Sequence, residues 1–211
     1  MERWTFGEAP LDETRELATV LRDLMGTALA LERPVPELRE LVADLQAAQR
    51  RLAARAPADP RPRLGDAPDR ERRVYLDHSR DVGEYNACFP VYELRARDDR
   101  AEGRVTFPVV YEGPPGVVHG GFLAVFFDCA LTQVNCDLGT AGKTRSLSVR
   151  YRRPVPILTE LEFAAERRIE EDSILASGEL RLDGTLMCAA EMSAALGDRA
   201  ALPAVSPRRR A

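Results

Sequence analysis

The sequence predicts an α+β protein in which an antiparallel sheet wraps around one buried helix, with a helical extension in front. Three observations carry that prediction. Residues 11–55 repeat their apolar positions at helical spacing, whereas from residue 74 onward short runs alternate with a period of two. Among those runs stands one stretch, HGGFLAVFFDCALTQVNCD (119–137), apolar on nearly every side. A helix of that kind is buried rather than laid on a surface.

In the extension, Leu17, Val20, Leu21, Leu24, Met25, Ala28 and Leu31 mark an amphipathic helix over 11–32. Leu38, Leu41, Val42, Leu45 and Leu52 mark a second over 36–55. ERPVP (32–36) separates them, because proline and the residue before it resist a continuing helix, while Pro36 suits a first helical turn. Two such helices cannot bury their stripes alone: they must pack on each other, on the downstream domain or on a second chain, and packing on the domain is expected. PADPRPRLGDAPDRER (57–72) is rich in proline and charge and reads as a linker or surface crossing. The expected division is a helical extension over 1–60, a Pro/Arg-rich linker over 61–72, the main domain over 73–198 and a flexible basic tail over 199–211.

Candidate strands fall at 74–77, 91–97, 104–111, 144–152, 161–170, 174–182 and 186–194. In SLSVRYRR, Leu147, Val149 and Tyr151 point one way, with Ser148, Arg150 and Arg152 opposite. The last two runs read as a hairpin turning at Asp183-Gly184.

The chain has 211 residues, 45% hydrophobic, with 30 basic and 34 acidic side chains and a net charge of −4. That balance argues against nucleic acid as the main partner. Lys143 is the only lysine among the 30 bases. No run approaches the ~18 apolar residues of a membrane span. MERWTFGEAPLDE lacks the basic segment and apolar run of a signal peptide, so a cytoplasmic location is expected. Cys88, Cys129, Cys136 and Cys188 show no C-x-x-C spacing and are expected as reduced thiols serving packing.

Most of the chemistry lies in YEGPPGVVHGGFLAVFFD (111–128). Gly113-Pro114-Pro115-Gly116 is turn chemistry, and His119-Gly120-Gly121 opens the buried helix. The first N–H groups of a helix are unpaired and carry its positive end, and glycine lets a ligand approach them. Such an end can polarise a carbonyl. Asp128 interrupts the apolar run, where an unpaired carboxylate is costly to bury, so it faces a pocket as base or nucleophile, lies on a solvated stripe, or pairs with an arginine of the sheet. His119 and Asp128 are nine residues apart, roughly 13–14 Å along a helix. They cannot reach one carbonyl carbon within a single chain, so the chemistry calls for two antiparallel helices across a twofold axis.

YEGPPGVVHGGFLAVFFD followed by TRSLSVRYRRPVP resembles the hotdog-fold thioesterases of the PaaI-like branch, nearest to the mammalian mitochondrial acyl-CoA type. The likeness covers residues 80–196. It implies a hotdog fold and hydrolysis of an acyl-CoA thioester to CoA and a carboxylic acid, a step in fatty acid metabolism. Asp128 would activate water or attack, and Gly120 N–H would polarise the thioester oxygen. His119 would hold the thioester or the loop, and Thr144 would position the water. Gly121, Gly116, Val118, Arg145 and Arg150 would contact substrate, the arginines meeting CoA phosphates. No metal or cofactor is implied, because a thioester is already activated. The partners implied are acyl-CoA and a second copy, a homodimer with a dimer of dimers left open. Some members carry Asn six residues before the histidine; here that position is Gly113, with Glu112 beside it. His78 is expected at the surface. A non-catalytic acyl-CoA-binding or regulatory protein is the alternative. A dehydratase or hydratase fits less well, because neither an H-F-P-G loop nor an Asp five residues before a His is present.

Overall fold

A computed structural model describes residues 7–64 and 71–197. The expected basic tail therefore lies outside the described residues. The main domain is one six-stranded antiparallel sheet, in the order β3-β4-β6-β7-β8-β5. Its strands are β3 (Tyr92–Arg97), β4 (Arg100–Thr106), β5 (Gly142–Tyr151), β6 (Glu160–Ile169), β7 (Ser173–Leu182) and β8 (Thr185–Leu196). Asp183 and Gly184 turn β7 into β8 with φ of 48° and 75°, the left-handed pair that a two-residue hairpin needs.

The predicted buried helix is α4 (Gly120–Asp137). Phe126, Phe127, Ala130, Leu131 and Val134 are wholly buried, and the Phe126 ring meets Phe107 at 5.5 Å and Phe163 at 5.5 Å. Leu161, Ile174, Leu180, Cys188 and Ala190 face it from the sheet. The helix is held at its far end by Arg167, a buried cation on β6. Arg167 donates to the carbonyls of Asn135 (3.1 Å) and Leu138 (3.0 Å), to Thr140 Oγ1, and to Asp99 (2.8 Å). A cation there complements the negative end of the helix dipole.

The extension contains α1 (Asp12–Leu29) and α2 (Pro36–Ala53), close to their predicted bounds. α1 packs on the domain as expected and α2 does not. α1 rests on the domain through Ala18 and Arg22, with Leu21, Leu24 and Ala28 half-buried, whereas Leu17, Val20, Met25 and Leu29 are exposed. Arg22 donates to the carbonyls of Phe89 (3.0 Å), Asn86 (3.1 Å) and Gly83, beside the short α3 (Val82–Tyr85). A buried guanidinium with three oriented acceptors fixes the helix rotation more strongly than a leucine stripe laid on a polar surface. α2 buries none of its residues fully, so its predicted packing on the domain is not found.

Regular structure also occurs in the expected linker. β1 (Asp59–Arg63) pairs in parallel with β2 (Arg72–Val74), forming a separate two-stranded sheet, and the run predicted at 74–77 does not join the main sheet. Asp59 holds both sides together, with Arg61 at 2.5 Å and Arg72 at 3.0 Å. All four cysteines are free; Cys136 and Cys188 are buried, Cys129 half-buried and Cys88 exposed.

Candidate active site

The start of α4 is shaped by its own residues. His119 is the N-cap, with φ −63° and ψ 129°, and its Nδ1 accepts from Gly121 N–H at 3.0 Å. Its own N–H donates to Tyr111 O at 2.8 Å, and Val118 N–H donates to Val155 O at 2.8 Å. Because Nδ1 is an acceptor here, the ring proton sits on Nε2. Gly120 N–H finds no acceptor among the described residues. It is the free donor at the positive end of an 18-residue helix.

The loop before the histidine is packed around glycine. A Cβ on Gly113 would lie 2.9 Å from His119 Cα, so the bare backbone at this position lets the loop close on the N-cap. Gly116 turns with φ +76°, and Gly116 N–H donates to the Glu112 carboxylate at 2.5 Å. Glu112 therefore holds the loop. Val118 is buried in the core, where it supports the loop from beneath.

Asp128 lies half-buried on the one stripe of α4 that the sheet leaves uncovered, with Val125 (50% exposed) and Phe122 (39%) about one and two turns earlier. Thr144 Oγ1 donates to Asp128 Oδ1 at 2.9 Å. The alternation of β5 alone would turn Thr144 away from the helix, on the side of Ser148 and Arg150. A β-bulge reverses that. Thr144 pairs with Ala194 and Ser146 with Ser193, so Arg145 is an extra residue that shifts the phase. Thr144 thereby joins Leu147, Val149 and Tyr151 on the helix side. Burial and the neighbouring Asp128 charge push the Cys129 thiol up to about 11, which keeps it protonated beside the carboxylate.

Tyr151 is the site residue that sequence reasoning left without a role. Its hydroxyl donates to Gly120 O at 2.9 Å, and its ring would meet a Gly120 Cβ at 3.2 Å. The signal was present in the Tyr-x-x-Pro run after the β5 alternation, but its partner was not.

Of the nine predicted site residues, the structure brings Asp128 and Thr144 into contact and gathers His119, Gly120 and Gly121 at the helix start. Arg150 projects from the outer face of the sheet, 3.4 Å from Glu191. A shallow cavity of about 590 Å³ on that face includes Arg150, Ser148, Glu166 and Glu191, on the far side of the sheet from Asp128. Arg145 protrudes at the bulge, 3.6 Å from Asp172. His78 is exposed, between the rings of Tyr75 and Tyr85. No group of three or more His, Cys, Asp or Glu side chains is arranged to hold a metal among the described residues. No helix among them is long and apolar enough to cross a membrane.

No protein-family model matches the chain. Among solved structures, a thioesterase superfamily protein is 26% identical, with a TM-score of 0.70, over 89% of this chain and 97% of its own. A putative thioesterase from Ralstonia eutropha JMP134, described as phenylacetic acid degradation-related, is 25% identical with a TM-score of 0.44, over 49% of this chain and 83% of its own. A hypothetical thioesterase protein of Streptococcus pneumoniae TIGR4, solved with coenzyme A, is 20% identical with a TM-score of 0.48, over 50% and 85%. By sheet topology, buried helix and near full-length likeness, the chain is a hotdog-fold protein similar to the thioesterase superfamily.

Proposed function

We propose that this chain hydrolyses an acyl-CoA thioester as a dimer whose two sites each draw on both subunits. The observation that carries the proposal is the Thr144–Asp128 hydrogen bond on the only uncovered stripe of an otherwise buried helix. A carboxylate oriented by a hydroxyl and backed by apolar surface suits general-base work. The free Gly120 N–H suits a developing oxyanion. Eight residues of helix separate the two, roughly 12 Å, so one chain cannot apply both to one carbonyl.

A second copy resolves that distance. β5 is an edge strand, and Phe122 and Val125 lie exposed beside it. An isologous contact across this edge and stripe covers them and brings Asp128 of one subunit toward Gly120 of the partner subunit. Thr144 donates to Oδ1, which leaves Oδ2 to take a proton from water. The water oxygen then bonds to the thioester carbon, and the carbonyl electron pair moves onto oxygen against Gly120 N–H of the partner subunit. Collapse breaks the C–S bond, and the CoA thiolate leaves with the proton held by Asp128. The acid and free CoA are the products. His119 acts as the N-cap that aims the helix start.

The test is thiol release from short, long and aromatic acyl-CoAs. Wild-type protein is expected to turn over, and Asp128→Asn to lose at least about a hundredfold in kcat. Full activity in Asp128→Asn, or tight acyl-CoA binding without turnover by the wild type, overturns the proposal; the second result favours a binding protein.

A further inference from the structure

α2 buries none of its 18 residues fully within its own chain: Leu38, Leu41 and Ala48 are half-buried, and Val42, Leu45 and Leu52 are 47, 39 and 63% exposed. A solitary helix of this length is marginal in water, because most helical stability comes from tertiary packing. Its apolar residues form a narrow seam rather than a broad face. Leu38, Leu45 and Leu52 recur every seven residues, with Leu41 and Ala48 between them. That spacing is the 3.5-residue period of helices that pair with other helices.

The charges say which helix fits. The first half of α2 carries Glu37, Glu40 and Asp44 against one base, Arg39. The second half carries Arg50 and Arg51, with Arg55 just beyond, and no acid. All these side chains are exposed. Two copies of α2 running antiparallel would set the acidic half of each against the basic half of the other. A parallel pair would set like against like. α1 of the same chain does not take the role, since Arg22 fixes it to the 83–89 segment and α2 buries no residue fully against it.

We infer that α2 pairs with α2 of a second copy of this chain, antiparallel across a twofold axis, through Leu38, Leu41, Leu45 and Leu52. The contact is isologous and self-complementary. It is a surface separate from the β5 edge and the α4 stripe, and it stands whether or not the chain is a hydrolase.

Sedimentation equilibrium of the full chain over a concentration series tests it. Arg50→Glu with Arg51→Glu places like charges at both ends of the pair, as does Glu37→Arg with Glu40→Arg. Each double variant is expected to weaken self-association by about tenfold. The fourfold variant, in which the two halves have exchanged sign, is expected to return to within about twofold of wild type. Leu45→Glu is expected to abolish the contact. Because every substituted side chain is exposed, thermal unfolding of the main domain should be unchanged in all of them, which separates lost pairing from misfolding. Equal association constants across the set overturn the inference. So does loss in the double variants without recovery in the fourfold one, since another occupant of the seam would not track the exchange of sign.

Discussion

Tyr151 holds the carbonyl of Gly120, the residue whose free N–H starts the buried helix. A phenol hydroxyl on that carbonyl locks the first turn of α4 against the end of β5 and so fixes where the donor points. In the proposed reaction the N–H matters most when negative charge has formed, so Tyr151 is a positioning residue with an effect on kcat. Tyr151→Phe removes one hydrogen bond, which is expected to lower kcat about fivefold with little change in KM. Steady-state thiol release across acyl-CoA concentrations checks this, and a change confined to KM would contradict it. At the residue scale much of the site was legible: His119, Gly120, Asp128 and Thr144 stood out by type and spacing. What pairs with what was not. Thr144 and Asp128 meet because Arg145 bulges out of β5, and a bulge is a property of two strands in register, so one strand's alternation cannot announce it.

The elements were read nearly to their ends where period and punctuation agreed. α4 begins at a histidine cap and stops near Gly139, whose φ of 82° continues no helix. α1 ends at Leu29, before Pro34, and α2 starts on Pro36, where proline suits the first helical turn. Docking of the elements was less legible, and Arg22 shows why. Its place on α1 reads as a solvated charge, yet it is 5% exposed and donates to three carbonyls of the 83–89 segment. Those acceptors lie more than 60 residues away and exist only once α3 has formed. Arg22→Met leaves them stranded and is expected to cost about 2–3 kcal/mol, with α1 cleaved faster in limited proteolysis. Denaturant unfolding measures the first, and an unchanged midpoint would show that α1 docks by its apolar residues after all.

Over the whole molecule the buried acids of weak acidity dictate a pH limit. Burial pushes the Cys129, Cys136 and Cys188 thiols each up to about 11, with the Asp128 charge adding to the effect at Cys129. Burial also raises the Tyr92 hydroxyl well above its ordinary range. Each group is neutral in the fold and ionises more readily once unfolded, where a thiol titrates near 8.5. Their contribution to stability is therefore complete below about 8.5 and is lost as pH rises toward about 11. The melting temperature is expected to stay level from pH 7 to about 8.5 and then fall steadily. Circular dichroism melts across that range check it; a level profile through pH 10.5 would mean that the three thiols are not held protonated.

The amino-acid order sufficed for the α+β class, the buried helix, the hairpin at Asp183-Gly184, the glycine-opened helix start and the out-of-place carboxylate two turns along that helix. Each follows from local rules: the period of apolar residues, the torsions of glycine and proline, and the cost of burying a charge. Only the tertiary structure decided that the 59–63 segment is a strand held by Asp59, that α1 rotates onto Arg22, and that a bulge turns Thr144 inward. Those outcomes depend on acceptors and partner strands distant in the chain, and energies of that kind are set by which surfaces meet, not by which residues are neighbours.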